Sequence, residues 1–89
     1  VSFDLSQPWL LNPRVSLRDE PFGALAYHFG TRRLSFLKSE RLRAVVESLA
    51  DHDTAAQACR AAGVGDEELP RYERALATLA RTDMIVRRA

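Results

Sequence analysis

Arg32-Arg33-Leu34-Ser35-Phe36-Leu37-Lys38-Ser39-Glu40 is the stretch where one hydrophobic period gives way to another. Up to Leu37 polar and apolar residues alternate, the pattern of a half-buried strand; from Ser39 onward the apolar residues recur at helical spacing. Leu34 and Phe36 share one face of this strand, and Arg33, Ser35 and Leu37 share the other. The switch takes two residues, so strands precede it and helices follow it. That order predicts an α+β chain.

Upstream, Ala24-Leu25-Ala26-Tyr27-His28-Phe29 alternates again, with Leu25, Tyr27 and Phe29 on one face. Gly30-Thr31 suits a two-residue type II′ hairpin turn, because glycine takes positive φ without steric cost. Glu20-Pro21-Phe22-Gly23 reads as a turn, and Arg14-Val15-Ser16-Leu17-Arg18 as the first strand of a meander. Residues 1–13 read as an irregular arm punctuated by Pro8 and Pro13, with Trp9 and Leu11 tucked against the domain of residues 14–89. The alternative for the arm is docking on a partner or exchange within a homodimer.

Downstream, Ser39 is a good N-cap, and Leu42, Val45, Val46 and Leu49 form one stripe at i, i+3, i+4, i+7. Thr54-Ala55-Ala56-Gln57 fits a capping box for a short second helix to about Ala62. The spacing predicts a third helix from Asp66 to Arg81, with Pro70 in its first turn and Leu69, Tyr72, Leu76 and Leu79 as its buried stripe. Met84-Ile85-Val86 is an apolar tail suited to pairing as a strand or covering the core. A three-stranded antiparallel meander followed by three helices is winged-helix-like.

Composition bounds what such a scaffold does. The 89 residues are 46% hydrophobic and 28% charged, which describes one small globular domain. Thirteen basic against 12 acidic residues give a net charge of +1, far from the basic balance of most nucleic-acid-binding domains. Cys59 is the only cysteine, which excludes an internal disulfide and a thiolate metal cage. No run is long enough to span a bilayer and no secretory signal opens the chain, so a cytoplasmic location is expected. The absence of an initiator Met points to a trimmed or partial chain.

No residues assemble into a catalytic pattern. His28 and His52 stand at no metal-ligand spacing and read as surface histidines. The serines lack a nucleophile elbow, the glycines are explained by turns, and Cys59 reads as a small packed hydrophobe. No enzyme and no cofactor are expected. A winged-helix DNA-binding protein is the main alternative, but the third helix opens on Asp66-Glu67-Glu68, three carboxylates facing the phosphates of a duplex. A structural subunit using Trp9–Leu11 is another.

The open edge of the meander is the better candidate. Unpaired backbone groups on an edge strand accept an extended peptide as a further strand. Arg32, Arg33 and Lys38 flank this edge, suited to blocking self-pairing or recruiting an acidic peptide, and Leu69, Tyr72, Leu76 and Leu79 offer a second wall. Ser35→Pro is expected to remove one edge donor with little else.

Asn12-Pro13-Arg14-Val15-Ser16-Leu17-Arg18-Asp19-Glu20-Pro21-Phe22-Gly23-Ala24-Leu25-Ala26-Tyr27, followed by Arg32-Arg33-Leu34-Ser35-Phe36-Leu37, closely resembles the peptide chaperones of mycofactocin biosynthesis, the MftB family. These belong with the PqqD-like recognition elements of ribosomally made, modified peptides, and the similarity runs through the helices to Met84-Ile85-Val86. The resemblance implies a non-catalytic protein that binds the leader of a precursor peptide and presents its far end to a radical SAM enzyme. Iron–sulfur clusters and S-adenosylmethionine belong to that partner. The leader adds as a strand to the third strand and lies against the third helix. By position this implies a peptide site of Arg32, Arg33, Leu34, Ser35, Phe36 and Leu37 with Leu69, Arg71, Tyr72, Arg74, Leu76 and Leu79. Neither nucleic acid nor membrane is implied as a partner.

Overall fold

Small side chains on one face of the sheet decide how the layers meet. The computed structural model describes residues 3–88; Val1, Ser2 and Ala89, which the expected arm and domain include, lie outside the described residues. Five strands and three helices follow in the order β1 (Trp9–Leu11), β2 (Val15–Glu20), β3 (Gly23–His28), β4 (Leu34–Leu37), α1 (Glu40–Ser48), α2 (Ala55–Ala61), α3 (Leu69–Arg81) and β5 (Ile85–Arg87), with a 3₁₀ turn at Leu49–Asp51 after α1. β2, β3 and β4 form the antiparallel meander, and β1 pairs with β5 in a separate two-stranded sheet. The α+β architecture is the expected one, a three-stranded meander followed by three helices.

Alternation fixed two faces of each strand, and packing chose between them. Ala24 and Ala26 are wholly buried, with Val15 and Leu37 on the same inward face. Their short side chains let α1 sit close on β3, where Val45 and Val46 complete the layer. The larger residues, Leu25, Tyr27, Leu34 and Phe36, face outward. Phe22, Phe29, Leu34 and Phe36 are exposed, with the rings of Phe22 and Phe36 edge-on at 5.7 Å.

This choice of face reverses the reading of His28 as a surface residue: it is 2% exposed. His28 Nδ1 accepts from the backbone N–H of Gly30 and of Thr31, each at 3.0 Å. The ring proton therefore sits on Nε2, which lies 3.0 Å from Asp83 Oδ2 and donates to it. Asn12 Nδ2 donates to the Asp83 carbonyl at 2.9 Å, tying the chain after β1 to the turn after α3. The same two amide bonds correct the expected hairpin. The β3–β4 connection is the five-residue loop 29–33, and Arg32, at φ 63°, takes the left-handed conformation expected of glycine.

The helix signals act as their chemistry dictates. Ser39 Oγ accepts from Leu42 N at 3.0 Å, and Thr54 Oγ1 from Gln57 N at 3.1 Å. α3 begins at Leu69, three residues later than expected, because residues 66–68 form a turn whose amides at Glu68 and Leu69 bond the Gly65 carbonyl. Tyr72, Leu76 and Leu79 enter the core.

The arm is not irregular throughout. Trp9 is 3% exposed and pairs with Arg87 across β1–β5, while its indole N–H donates to the Asp4 carbonyl at 2.9 Å. The Leu5 and Gln7 carbonyls accept from Ala56 N and Ala55 N, capping the start of α2. The segment offered as a partner-docking arm is thus built into its own domain. The tail does both things expected of it: Ile85 pairs with Leu11, and Met84 and Ile85 are buried.

Gly23 holds the β2–β3 turn against β4. Its φ is 145°, and a Cβ there would stand 2.2 Å from the Leu37 carbonyl oxygen. Gly23→Ala is expected to cost about 2 kcal/mol or more, a fall in Tm of about 10 °C in a domain this small, read by thermal denaturation.

Candidate functional site

The hydrogen-bond phase of the meander shows which backbone groups are free. The His28 N–H donates to the Arg33 carbonyl at 3.0 Å, so the bonded pairs of β3–β4 are Ala26 with Ser35 and Ala24 with Leu37. The N–H and C=O of Leu34 and Phe36 point the other way, to the open edge of β4. Among the described residues no further strand pairs there.

The opposite edge is guarded. On β2 the bond from Phe29 N to the Arg14 carbonyl leaves Leu17 and Asp19 facing outward from the sheet. That strand carries Arg18, Asp19 and Glu20, and Asp19 is ion-paired to Arg43 of α1. Charges along an edge, one of them on the inward face, discourage strand addition. The edge of β4 carries Leu34 and Phe36 in the same role.

Beside the open edge runs a groove whose far wall is α3. One end is a hollow of 440 Å³ lined by Lys38, Ser39, Leu42, Arg71, Tyr72 and Ala75. An adjoining hollow of 360 Å³ is lined by Ser35, Phe36, Lys38, Leu42, Ala75, Thr78 and Leu79. Leu42 of α1 forms the shared floor. A side chain on the inward face of a strand added to β4 would enter this groove.

The expected site residues divide accordingly. Ser35, Phe36, Arg71, Tyr72 and Leu79 line the groove. Leu34 lies on the outer face with its backbone on the open edge, and Arg32 and Arg33 sit exposed in the loop before β4. Leu37 and Leu76 are core residues, 1% and 0% exposed, out of reach of a guest side chain. Leu69 packs at the core margin, and Arg74 is exposed and lines neither hollow. Ser39, Leu42, Ala75 and Thr78 were missed, as was Lys38 as a lining residue. The signal for two of them was present: Arg71, Ala75 and Thr78 recur at i, i+4, i+7, one position around the helix from the Tyr72-Leu76-Leu79 stripe.

The groove offers hydrogen bonds, apolar surface and cations rather than reactive groups. Among the described residues no cluster of three His, Cys, Asp or Glu is placed to hold a metal ion. Cys59 is buried, and desolvation pushes its thiol up, against a weaker opposing pull from Arg60. Among the described residues no helix is long and apolar enough to cross a membrane.

The model of the peptide chaperone MftB family matches residues 8–86. The chain belongs to that family. A relative from Mycobacterium ulcerans named peptide chaperone MftB is 55% identical over 85 residues, covering 96% of this chain and 78% of the relative. Proteins of the same name from Mycobacterium tuberculosis and Mycolicibacterium smegmatis are 52% and 50% identical over 86 residues, spanning 79% and 84% of those proteins. No solved structure matches. The MftB family carries the name of a chaperone, a non-enzymatic role, and this chain is therefore not classed as an enzyme.

Proposed function

We propose that this chain is a cytoplasmic peptide chaperone that captures the leader of the mycofactocin precursor peptide by strand addition to β4 and presents its far end to a radical SAM enzyme. The observation that carries this reading is the open edge of β4, with free backbone groups at Leu34 and Phe36, lying beside a groove walled by α3. Membership in a family named for peptide chaperones supports the class of guest.

The mechanism is positioning. Backbone groups of Leu34 and Phe36 supply affinity that any extended chain satisfies, and the groove selects among side chains. A guest held at one end meets the enzyme as a tethered reactant, at an effective concentration on the order of millimolar for a short flexible link. The redox chemistry resides in the partner.

Titrating leader peptide into isotopically labelled protein tests the site. Amide shifts are expected at Leu34 and Phe36 and along α3 from Arg71 to Leu79. A map centred on the Trp9–Leu11 strand or on α2 would overturn the proposal.

A further inference from the structure

The geometry points to a two-residue code in the guest: an acidic side chain and an apolar side chain, two positions apart on the face that enters the groove. The inference rests on the strand addition proposed above and names the chemistry that such a strand must carry.

The two hollows share Lys38, Leu42 and Ala75 and differ in the rest of their lining. The first has cations at its rim. Lys38 is exposed and, among the described residues, takes part in no ion pair. Arg71 holds Glu68 at 3.2 Å, but Glu68 is also held by Arg41 at 3.0 Å. Arg41 and Arg71 thus share one carboxylate, and Lys38 has no ion-pair partner among the described residues, which leaves positive charge for a guest. The apolar surfaces of Leu42, Tyr72 and Ala75 beneath the cations lower the local dielectric and strengthen the attraction for an incoming carboxylate. The second hollow keeps Lys38 and the hydroxyls of Ser35 and Thr78 in its lining but has no arginine, and its Phe36, Leu42, Ala75 and Leu79 surfaces suit an apolar side chain.

Spacing joins the two. Along α3 the linings run from Arg71 and Tyr72 to Thr78 and Leu79 about the shared Ala75, so their centres stand between four and five residues apart, a rise of about 7 Å. Same-face side chains of a strand are about 6.6 Å apart, two residues on. Successive inward residues of one guest therefore fall one into each hollow. β4 runs from the apolar hollow toward the cationic one, so an antiparallel guest carries the acid first and the apolar residue two positions later. A parallel guest carries them in reverse.

A library of random decapeptides displayed on phage and selected on the intact protein tests the code. Enrichment of Asp or Glu two positions from Leu, Ile, Val or Phe is expected. In a synthetic peptide of the enriched sequence, Glu→Gln should weaken binding about threefold to fivefold, and this change leaves the protein untouched. Selection on the Lys38→Glu, Arg71→Glu double variant, checked for folding by thermal denaturation, should replace the acid by Lys or Arg and keep the apolar residue. An enriched motif without the acid, or one unchanged on the double variant, overturns the code. If such peptides still shift the Leu34 and Phe36 amides, strand addition survives it. Shifts elsewhere, or no enrichment at all, overturn both.

Discussion

Leu34→Pro is expected to weaken the proposed leader capture at least about tenfold while the domain stays folded. The Leu34 N–H faces the open edge of β4, and no bond within the sheet uses it. Proline deletes that donor and places its ring where the guest backbone must approach. Leu34 is also the first residue of its strand and 56% exposed, a position where sheets tolerate proline. One lost backbone bond weakens binding about tenfold, and the ring clash adds to that. Calorimetric titration with leader peptide should show affinity down by at least that factor, with an unchanged circular dichroism spectrum and Tm. Undiminished affinity in a folded Leu34→Pro protein removes this edge from the mechanism. Ser35→Pro, the substitution favoured by the sequence alone, is the wrong probe. The Ser35 amide pairs with Ala26, so proline there breaks the sheet itself.

Trp9→Ala unfolds most of the protein near physiological temperature. The indole is buried in the core, meets Phe3 at 4.9 Å between ring centres, and bonds the Asp4 carbonyl. Truncating a buried Trp costs about 3–5 kcal/mol, against about 4–8 kcal/mol of total stability for a chain this short. Urea denaturation should show the midpoint collapsing toward zero denaturant. Deleting residues 3–11 should do at least as much, since β1 and the carbonyls that cap α2 leave together. An unchanged midpoint in Trp9→Ala would return the arm to the role of a dispensable docking segment.

What the sequence made legible was local. The caps at Ser39 and Thr54, the stripe from Leu42 to Leu49, and the stripe of Tyr72, Leu76 and Leu79 depend on neighbours within two turns, and period and capping chemistry capture them. The strand was legible for the same reason, although it begins at Leu34 and leaves Arg32 and Arg33 in the loop before it. Which face of that strand turns inward was not, because alternation is symmetric between faces. The tie was broken by α1, whose approach demands Ala24 and Ala26 beneath it. His28 was misread because its partner Asp83 lies 55 residues away. The groove was half legible: its helical wall came from the apolar stripe, while Leu42 was read into the stripe of the first helix and Ala75 was passed over, because nothing local separates a core margin from a groove floor.

Pairing of Trp9–Leu11 with Ile85–Arg87 bears on how the molecule comes off the ribosome. Strand β1 waits for β5, so Trp9 has no sheet partner until residues 85–87 emerge. Contacts this distant along the chain slow folding, and until β5 arrives the indole has only Phe3, α1 and the turn at Leu49–Asp51 to pack against.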